Sequence, residues 1–239
     1  MKAYKAYIFD LDGTLLDSMG VWDQIDIEFL GRRGIAVPPD YMVSISSMAF
    51  HEAAAYTIKR FALPDSADGL MREWYDMAAY AYGHTVQMKP HAKEYLMALR
   101  DSGAKTAVAT SLFAGLCDLA LRNNGIDTLF AAVCNTADAG HGKSRPDVFL
   151  LTAKQIGAAP EDCLVFEDLL AAVKSAKSAG MSVCAVYDKA SETDWEEIKK
   201  TADYAIVDFN EAPAPPLTAL LPAAPPAGRW PGPVNPKSV

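Results

Sequence analysis

The sequence predicts an α/β protein: a doubly wound parallel sheet with helices on both faces and a helical insertion after the first strand. Two observations predict this class. Helix-like and strand-like segments alternate from Pro90 onward, whereas residues 18–87 show helical patterns without a convincing strand. The chain has 239 residues and is 51% hydrophobic, so it is long enough for one ordinary domain with an insertion.

The first predicted strand covers residues 3–9 and ends in a pair of carboxylates. Asp10 and Asp12 follow the strand, and Gly13 and Thr14 come next. Two like charges this close raise each other's pKa or require a cation between them, and a core strand gains no stability by ending this way. The stretch therefore favours metal or phosphate chemistry.

The remaining elements are predicted in order along the chain. The insertion should contain four helices, at residues 18–34, 38–48, 50–61 and 64–82. Later helices are predicted at residues 91–102, 112–124, 146–156, 169–179 and 191–201. Later strands are predicted at residues 104–110, 131–135, 163–167, 182–187 and 203–207. Right-handed crossovers bring the carboxyl ends of such strands to one edge, where ligands bind.

These elements divide the chain into three parts. Residues 1–17 and 88–210 form the predicted α/β core, and residues 18–87 form the inserted helical cap. Nine of the 29 residues in 211–239 are proline, which denies regular hydrogen bonding, so this segment is predicted to be a disordered tail.

Composition excludes several classes of partner. The net charge of −8 argues against nucleic acid, and no apolar stretch of 18 residues exists to cross a membrane. The four cysteines form no Cys-x-x-Cys pair, which is typical of reduced core thiols in a cytoplasmic protein. A small molecule is the expected partner.

Polar residues follow four of the predicted strands or their loops, and they should meet at one edge of the sheet. They are Asp10, Asp12, Thr110, Ser111, Lys143, Glu167 and Asp168. Carboxylate oxygens suit Mg²⁺, which prefers to be shared with a substrate phosphate. Hydroxyl and ammonium groups suit the other phosphoryl oxygens.

Four ordered motifs carry a family resemblance. They are Asp10-Leu11-Asp12-Gly13-Thr14, Val108-Ala109-Thr110-Ser111, Gly142-Lys143-x-x-Pro146-Asp147 and Phe166-Glu167-Asp168. The chain resembles the haloacid dehalogenase (HAD) superfamily over residues 5–208. It is most similar to the subgroup with a helical cap after the first motif, which includes phosphoglycolate phosphatase and β-phosphoglucomutase. The resemblance implies a Rossmann-like, HAD-like core.

The resemblance also implies a reaction and a role for each aspartate of the first motif. The expected enzyme is a Mg²⁺-dependent phosphatase that hydrolyses a small phosphomonoester through an aspartyl-phosphate. Asp10 would be the nucleophile. Asp12 would be general acid and then general base. Members that are dehalogenases or phosphonate hydrolases lack this second acid.

The other motif residues receive roles by the same resemblance. Thr110 and Ser111 would bind the phosphoryl group, and Lys143 would bind it and neutralise charge in the transition state. The metal ligands would be the Asp10 side chain, the Asp12 carbonyl and Asp168, with Glu167 acting directly or through a water.

Three positions depart from the pattern of the superfamily. Leu169 and Ala172 replace a small polar residue and a glycine after the metal aspartate, and Ser144 replaces a common proline. We expect Asp168 to cap the following helix instead. Leu169 and Ser144 motivate one alternative, a non-catalytic HAD-like binding protein.

A second alternative is a β-phosphoglucomutase-like sugar phosphomutase. Such an enzyme must hold a second phosphate, and its relatives do so with polar or basic side chains after the second motif and an arginine in the cap. Here Leu112, Phe113 and Ala114 follow the second motif, and Phe50 lies near the expected place of the arginine. Hydrolysis to free phosphate is therefore the favoured prediction.

Overall fold

The computed structural model describes residues 4–45, 48 and 50–216, and the chain divides into two compact units. The sheet unit comprises Met1–Ser18 and Gln87–Val239, and the helical unit comprises Met19–Val86. Most of the predicted tail, residues 217–239, lies outside the described residues.

The sheet unit is built on a parallel sheet that has six strands within the described residues. The strands are β1 (Ala6–Phe9), β2 (Lys105–Thr110), β3 (Ala132–Asn135), β4 (Cys163–Glu167), β5 (Ser182–Val186) and β6 (Tyr204–Ile206). Their order across the sheet is β3-β2-β1-β4-β5-β6. The predicted fold class, an α/β Rossmann-like parallel sheet, is confirmed.

The strand β1 lies at the point where the strand order changes direction. Phe9 pairs with Val108 of β2 on one side and with Phe166 of β4 on the other. In open α/β sheets, ligands bind beyond the carboxyl ends of the strands at such a reversal. We call this side of the sheet the carboxyl edge, and Asp10 is the first residue beyond it on β1.

The helical unit contains four helices within the described residues, as the sequence predicts. They are α1 (Gly20–Gly31), α2 (Tyr41–Ile45), α3 (Phe50–Phe61) and α4 (Ala67–His84). Within this unit Arg33 forms two ion pairs, with its Nη2 2.8 Å from Asp65 Oδ1 and 2.7 Å from Glu73 Oε2. The Arg33 guanidinium therefore connects the loop that follows α1 both to α4 and to the segment that precedes α4.

Six further helices of the sheet unit are described. They are α5 (Ala92–Asp101), α6 (Ala114–Asn123), α7 (Thr136–Ala139), α8 (Asp147–Gln155), α9 (Leu170–Ser178) and α10 (Trp195–Thr201). The sequence did not predict the one-turn α7. It forms because the Asn135 side chain accepts from Asp138 N while the Asp138 side chain accepts from Asn135 N, a reciprocal cap.

The predicted core thiols are confirmed as buried and free. Cys117, Cys134, Cys163 and Cys184 are all buried and form no disulfide. Burial raises the pKa of Cys117 to about 12, so its thiol stays protonated. No helix among the described residues is long and apolar enough to cross a bilayer.

Candidate active site

Asp10 is held at the carboxyl edge by its own backbone and by a lysine. Its N–H donates to the Phe166 carbonyl oxygen at 3.1 Å, which extends the β1–β4 pairing by one residue. Its Oδ1 forms an ion pair with Lys143 Nζ, and the same ammonium donates to Glu167 Oε2 at 2.8 Å. Lys143 is buried, and these two carboxylates compensate for its lost hydration.

The turn after Asp10 is built against Asp168. Gly13 has φ +78°, and a Cβ at this position would lie 2.5 Å from Asp168 Oδ2, so only glycine fits. Thr14 Oγ1 donates to Asp168 Oδ1 at 2.9 Å in a buried hydrogen bond. The first and fourth motifs therefore depend on each other for their geometry.

Asp10, Glu167 and Asp168 form an acidic cluster, in which one carboxylate oxygen from each lies within 4.8 Å of the others. Burial, reinforced by the charge of Asp10, raises the pKa of Glu167 to about 8 and that of Asp168 to about 7. For Lys143, burial acts to lower the pKa, but the charges of Asp10 and Glu167 outweigh it and the pKa is raised. The ammonium is therefore retained.

The acidic cluster fits a divalent cation. Asp168 Oδ2 is buried and has no hydrogen-bond partner among the described residues, which is costly for a carboxylate unless a cation binds there. Both Glu167 oxygens are used, because Oε1 accepts from Leu169 N at 3.3 Å and Oε2 accepts from Lys143. Oxygen donors of this kind suit Mg²⁺.

The remaining predicted residues lie beside the cluster. The Asp12 carboxylate is outside the three-residue group and accepts a hydrogen bond from Ser18 Oγ at 2.6 Å. Thr110 is buried at the end of β2, where its Oγ1 accepts from Leu112 N at 3.1 Å. Ser111, the next residue, is exposed.

The prediction that Asp168 caps the next helix is wrong. The N-cap residue of α9 is Leu169, whose side chain makes no capping hydrogen bond. The reason is that Asp168 lies one residue before the N-cap and its Oδ1 is bound to Thr14. Leu169 is 43% exposed, while Ala172 is buried in the first turn of α9.

Sequence reasoning missed two charged residues near the cluster. Asp188 lies beyond the end of β5, and its Oδ2 lies 2.8 Å from Lys89 Nζ. The signal for Asp188 was present, because it follows a predicted strand just as Asp10 and Asp168 do. Lys89 gave no such signal, since it precedes a helix.

The fold and the site together define an α/β protein with an aspartate, a lysine and an acidic cluster that fits a cation at the strand reversal. A family model described as haloacid dehalogenase-like hydrolase matches residues 4–180. The chain belongs to this family.

Two relatives illustrate the range of the family. The chain is 29% identical over 186 residues to the bifunctional riboflavin kinase/FMN phosphatase of Arabidopsis thaliana; this match covers 77% of the chain but only 49% of that protein. It is 31% identical over 186 residues to hexitol phosphatase A of Escherichia coli K12, covering 76% of the chain and 82% of the relative. The chain therefore spans about half of the plant protein.

A solved structure shares the fold. The β-phosphoglucomutase of Clostridium difficile superposes with a TM-score of 0.68 at 18% identity, covering 88% of this chain and 93% of that one. The predicted superfamily is confirmed, and relatives within it are named phosphatases.

Proposed function

We propose that this protein is a Mg²⁺-dependent phosphatase that hydrolyses a small phosphomonoester through an aspartyl-phosphate on Asp10. The observation that carries the proposal is Asp168 Oδ2, which is buried, has no hydrogen-bond partner in the part of the chain that the structure describes, and belongs to the acidic cluster that also contains Asp10. Relatives named for the phosphatase reaction support the substrate class.

In the first half of the reaction, an Asp10 carboxylate oxygen attacks phosphorus and the bond from phosphorus to the leaving oxygen breaks. Asp12 donates a proton to that oxygen, which leaves as an alcohol. Ser18 orients the Asp12 carboxylate through the 2.6 Å hydrogen bond. Lys143 remains charged and stabilises the negative charge of the transferring group.

In the second half, a water attacks the phosphorus of the aspartyl-phosphate, and Asp12 accepts its proton. The bond between phosphorus and the Asp10 oxygen breaks, so inorganic phosphate leaves and the carboxylate is restored. Thr110, the last residue of the strand beside β1, and Ser111, which follows it, are proposed to donate to the phosphoryl oxygens.

Asp10, Asp168 and the Asp12 carbonyl would hold the metal. When bound, Mg²⁺ supplies charge neutralisation that lets a carboxylate approach an anionic phosphate. Glu167 is occupied by Lys143 and Leu169 N, so we assign it to orienting Lys143, with any metal contact through a water.

The test is a panel of metabolite phosphomonoesters with Mg²⁺, in which phosphate release is measured for the wild type and for Asp10→Asn. The substitution should lower kcat by at least about 10³-fold, because an amide is not a nucleophile here. Asp101→Asn, an exposed aspartate at the end of α5, is the matched control and should retain activity. Release that survives Asp10→Asn would contradict the aspartyl-phosphate.

Two further results would favour the alternatives. Activity that depends on an added sugar bisphosphate would indicate a phosphomutase. Absence of phosphate release from every compound, together with no Mg²⁺-dependent binding of beryllium fluoride, would indicate a non-catalytic binding protein, since beryllium fluoride mimics the aspartyl-phosphate.

A further inference from the structure

Lys89 and Asp188 form a buried ion pair that has no role in the reaction described above. Lys89 Nζ lies 2.8 Å from Asp188 Oδ2, and their side chains are 11% and 8% exposed. The same ammonium donates to the Tyr187 carbonyl oxygen at 2.7 Å. Because desolvation offsets most of the attraction in a buried pair, its net contribution to stability is small, and its location becomes the informative feature.

The pair is connected to Asp168 from two directions. Glu167 at the end of β4 pairs with Ala185 of β5, so Asp188 lies at the same carboxyl edge as Asp168. The Lys89–Asp188 pair therefore lies beyond the strand that neighbours the one carrying Asp168.

The second connection runs through the backbone of the first motif. Lys89 N donates to the Leu15 carbonyl oxygen at 2.9 Å. Leu15 is the neighbour of Thr14, whose hydroxyl donates to Asp168 Oδ1 at 2.9 Å. Lys89 thus fixes the turn that orients Asp168 while its side chain holds Asp188.

The net charge of the acidic cluster explains why a neutral Lys89–Asp188 pair, and not one unpaired charged residue, lies beside it. When all three carboxylates of the acidic cluster are ionised, as metal binding requires, they and the Lys143 ammonium leave two negative charges, which one Mg²⁺ would neutralise. A neutral Lys89–Asp188 pair preserves this balance. Losing either partner would leave one buried charge beside the cluster.

We propose that Lys89 and Asp188 are positioning residues that set the Mg²⁺ affinity of the acidic cluster by keeping the charge beside Asp168 balanced. The inference rests on the proposed function, because it requires Mg²⁺ at that cluster.

The test compares two substitutions that should act in opposite directions. Asp188→Asn preserves the shape of the side chain and an acceptor for Ala190 N, but it leaves the Lys89 ammonium uncompensated. The Kd for Mg²⁺ should rise at least about threefold. Lys89→Met leaves the Asp188 carboxylate uncompensated, and the Kd should fall by a similar factor. Lys89→Arg keeps the charge and should bind like the wild type.

Mg²⁺ binding is measured by titration calorimetry without substrate, and the Mg²⁺-induced rise in Tm is measured in parallel. The exposed Lys5–Asp162 pair, 2.8 Å apart, provides matched controls, because these residues precede β1 and β4 at the opposite edge of the sheet. Lys5→Met and Asp162→Asn make the same charge changes and should leave the Kd for Mg²⁺ unchanged.

Opposite shifts in the Kd support the inference. Shifts in the same direction, or a wild-type Kd in both variants, overturn it and assign the pair to structure alone. If Lys89→Met fails to fold, the two single variants Asp188→Asn and Lys89→Arg decide the question. A raised Kd for Mg²⁺ in Asp188→Asn and a wild-type Kd in Lys89→Arg support the inference. Any other combination overturns it. A wild-type protein that binds no Mg²⁺ overturns the proposed function, and this inference with it.

Discussion

Glu167 and Asp168 are neighbours in sequence, yet their carboxylates have different surroundings. Glu167 uses both oxygens, one on Lys143 and one on Leu169 N. Asp168 uses one oxygen on Thr14 and keeps a buried oxygen without a partner among the described residues. A metal ligand needs an available oxygen, so the two acids should not be interchangeable.

We expect Asp168→Asn and Glu167→Gln to affect different quantities. Asp168→Asn removes charge from a proposed direct ligand, so the Kd for Mg²⁺ should rise by more than about tenfold. Glu167→Gln should mainly lower kcat, by about 10- to 100-fold, because Lys143 loses one of its two anchoring charges. Calorimetric Mg²⁺ titration and steady-state kinetics separate the effects. Equal losses of Mg²⁺ affinity in both variants would make Glu167 a direct ligand.

At the scale of elements, two short helices near the site begin in different ways. The helix α7 begins with the reciprocal cap of Asn135 and Asp138. The N-cap residue of α9 is an exposed leucine, Leu169, whose side chain makes no capping hydrogen bond. N–H groups at the start of a helix that lack a side-chain acceptor lower the stability of the helix, and one side-chain hydroxyl at the N-cap position could accept from one of them.

We expect Leu169→Ser to stabilise the protein by about 1 kcal/mol, because the serine hydroxyl can accept from the first turn of α9. The Tm should rise by about 2–4 °C. Leu169→Ala is the matched control, since it removes the leucine side chain without supplying an acceptor. Thermal melts of the two variants in EDTA make the comparison. Coincident melting curves would show that α9 gains nothing from a cap.

At the scale of the whole molecule, each unit buries acidic groups that hold protons in the folded state. In the sheet unit these are Glu167 and Asp168, as described above. In the helical unit, Asp26 of α1 is buried. Burial and the nearby charge of Asp23 raise the pKa of Asp26 to about 7, and a hydrogen bond with Tyr41 lowers it by a smaller amount. The folded chain thus binds more protons than the unfolded chain between about pH 4 and pH 8.

The free energy of unfolding should therefore fall as the pH rises from about 4 toward 8. The loss caused by Asp26 begins near pH 4 and is complete once the pH has risen past about 7, where its folded-state carboxyl ionises. Asp26→Asn should leave stability near pH 4 almost unchanged and raise the free energy of unfolding at pH 8 by about 2 kcal/mol. Denaturant melts in EDTA at both pH values measure this. Asp23→Asn, on an exposed part of the same helix, should change the free energy of unfolding by less. If the pH dependence of stability is the same in Asp26→Asn as in the wild type, the raised pKa of Asp26 is contradicted.

The sequence predicted the strands and most helices because hydrophobic periodicity and Gly or Pro at the ends are local signals. Two elements, β4 (Cys163–Glu167) and α3 (Phe50–Phe61), were predicted with their observed bounds. The short α7 was missed because its cap, formed by Asn135 and Asp138, stabilises a turn too short to show a helical period.

The sequence by itself determined the family and the edge of the sheet that carries the chemistry, since four ordered motifs each follow a predictable strand or loop. Tertiary structure decided which of those side chains meet. The hydrogen bond from Thr14 to Asp168 and the pairing of Lys89 with Asp188 join residues far apart in the chain. Their meeting depends on the packing of β1 and β5 against β4, and local periodicity carries no information about partners at that separation.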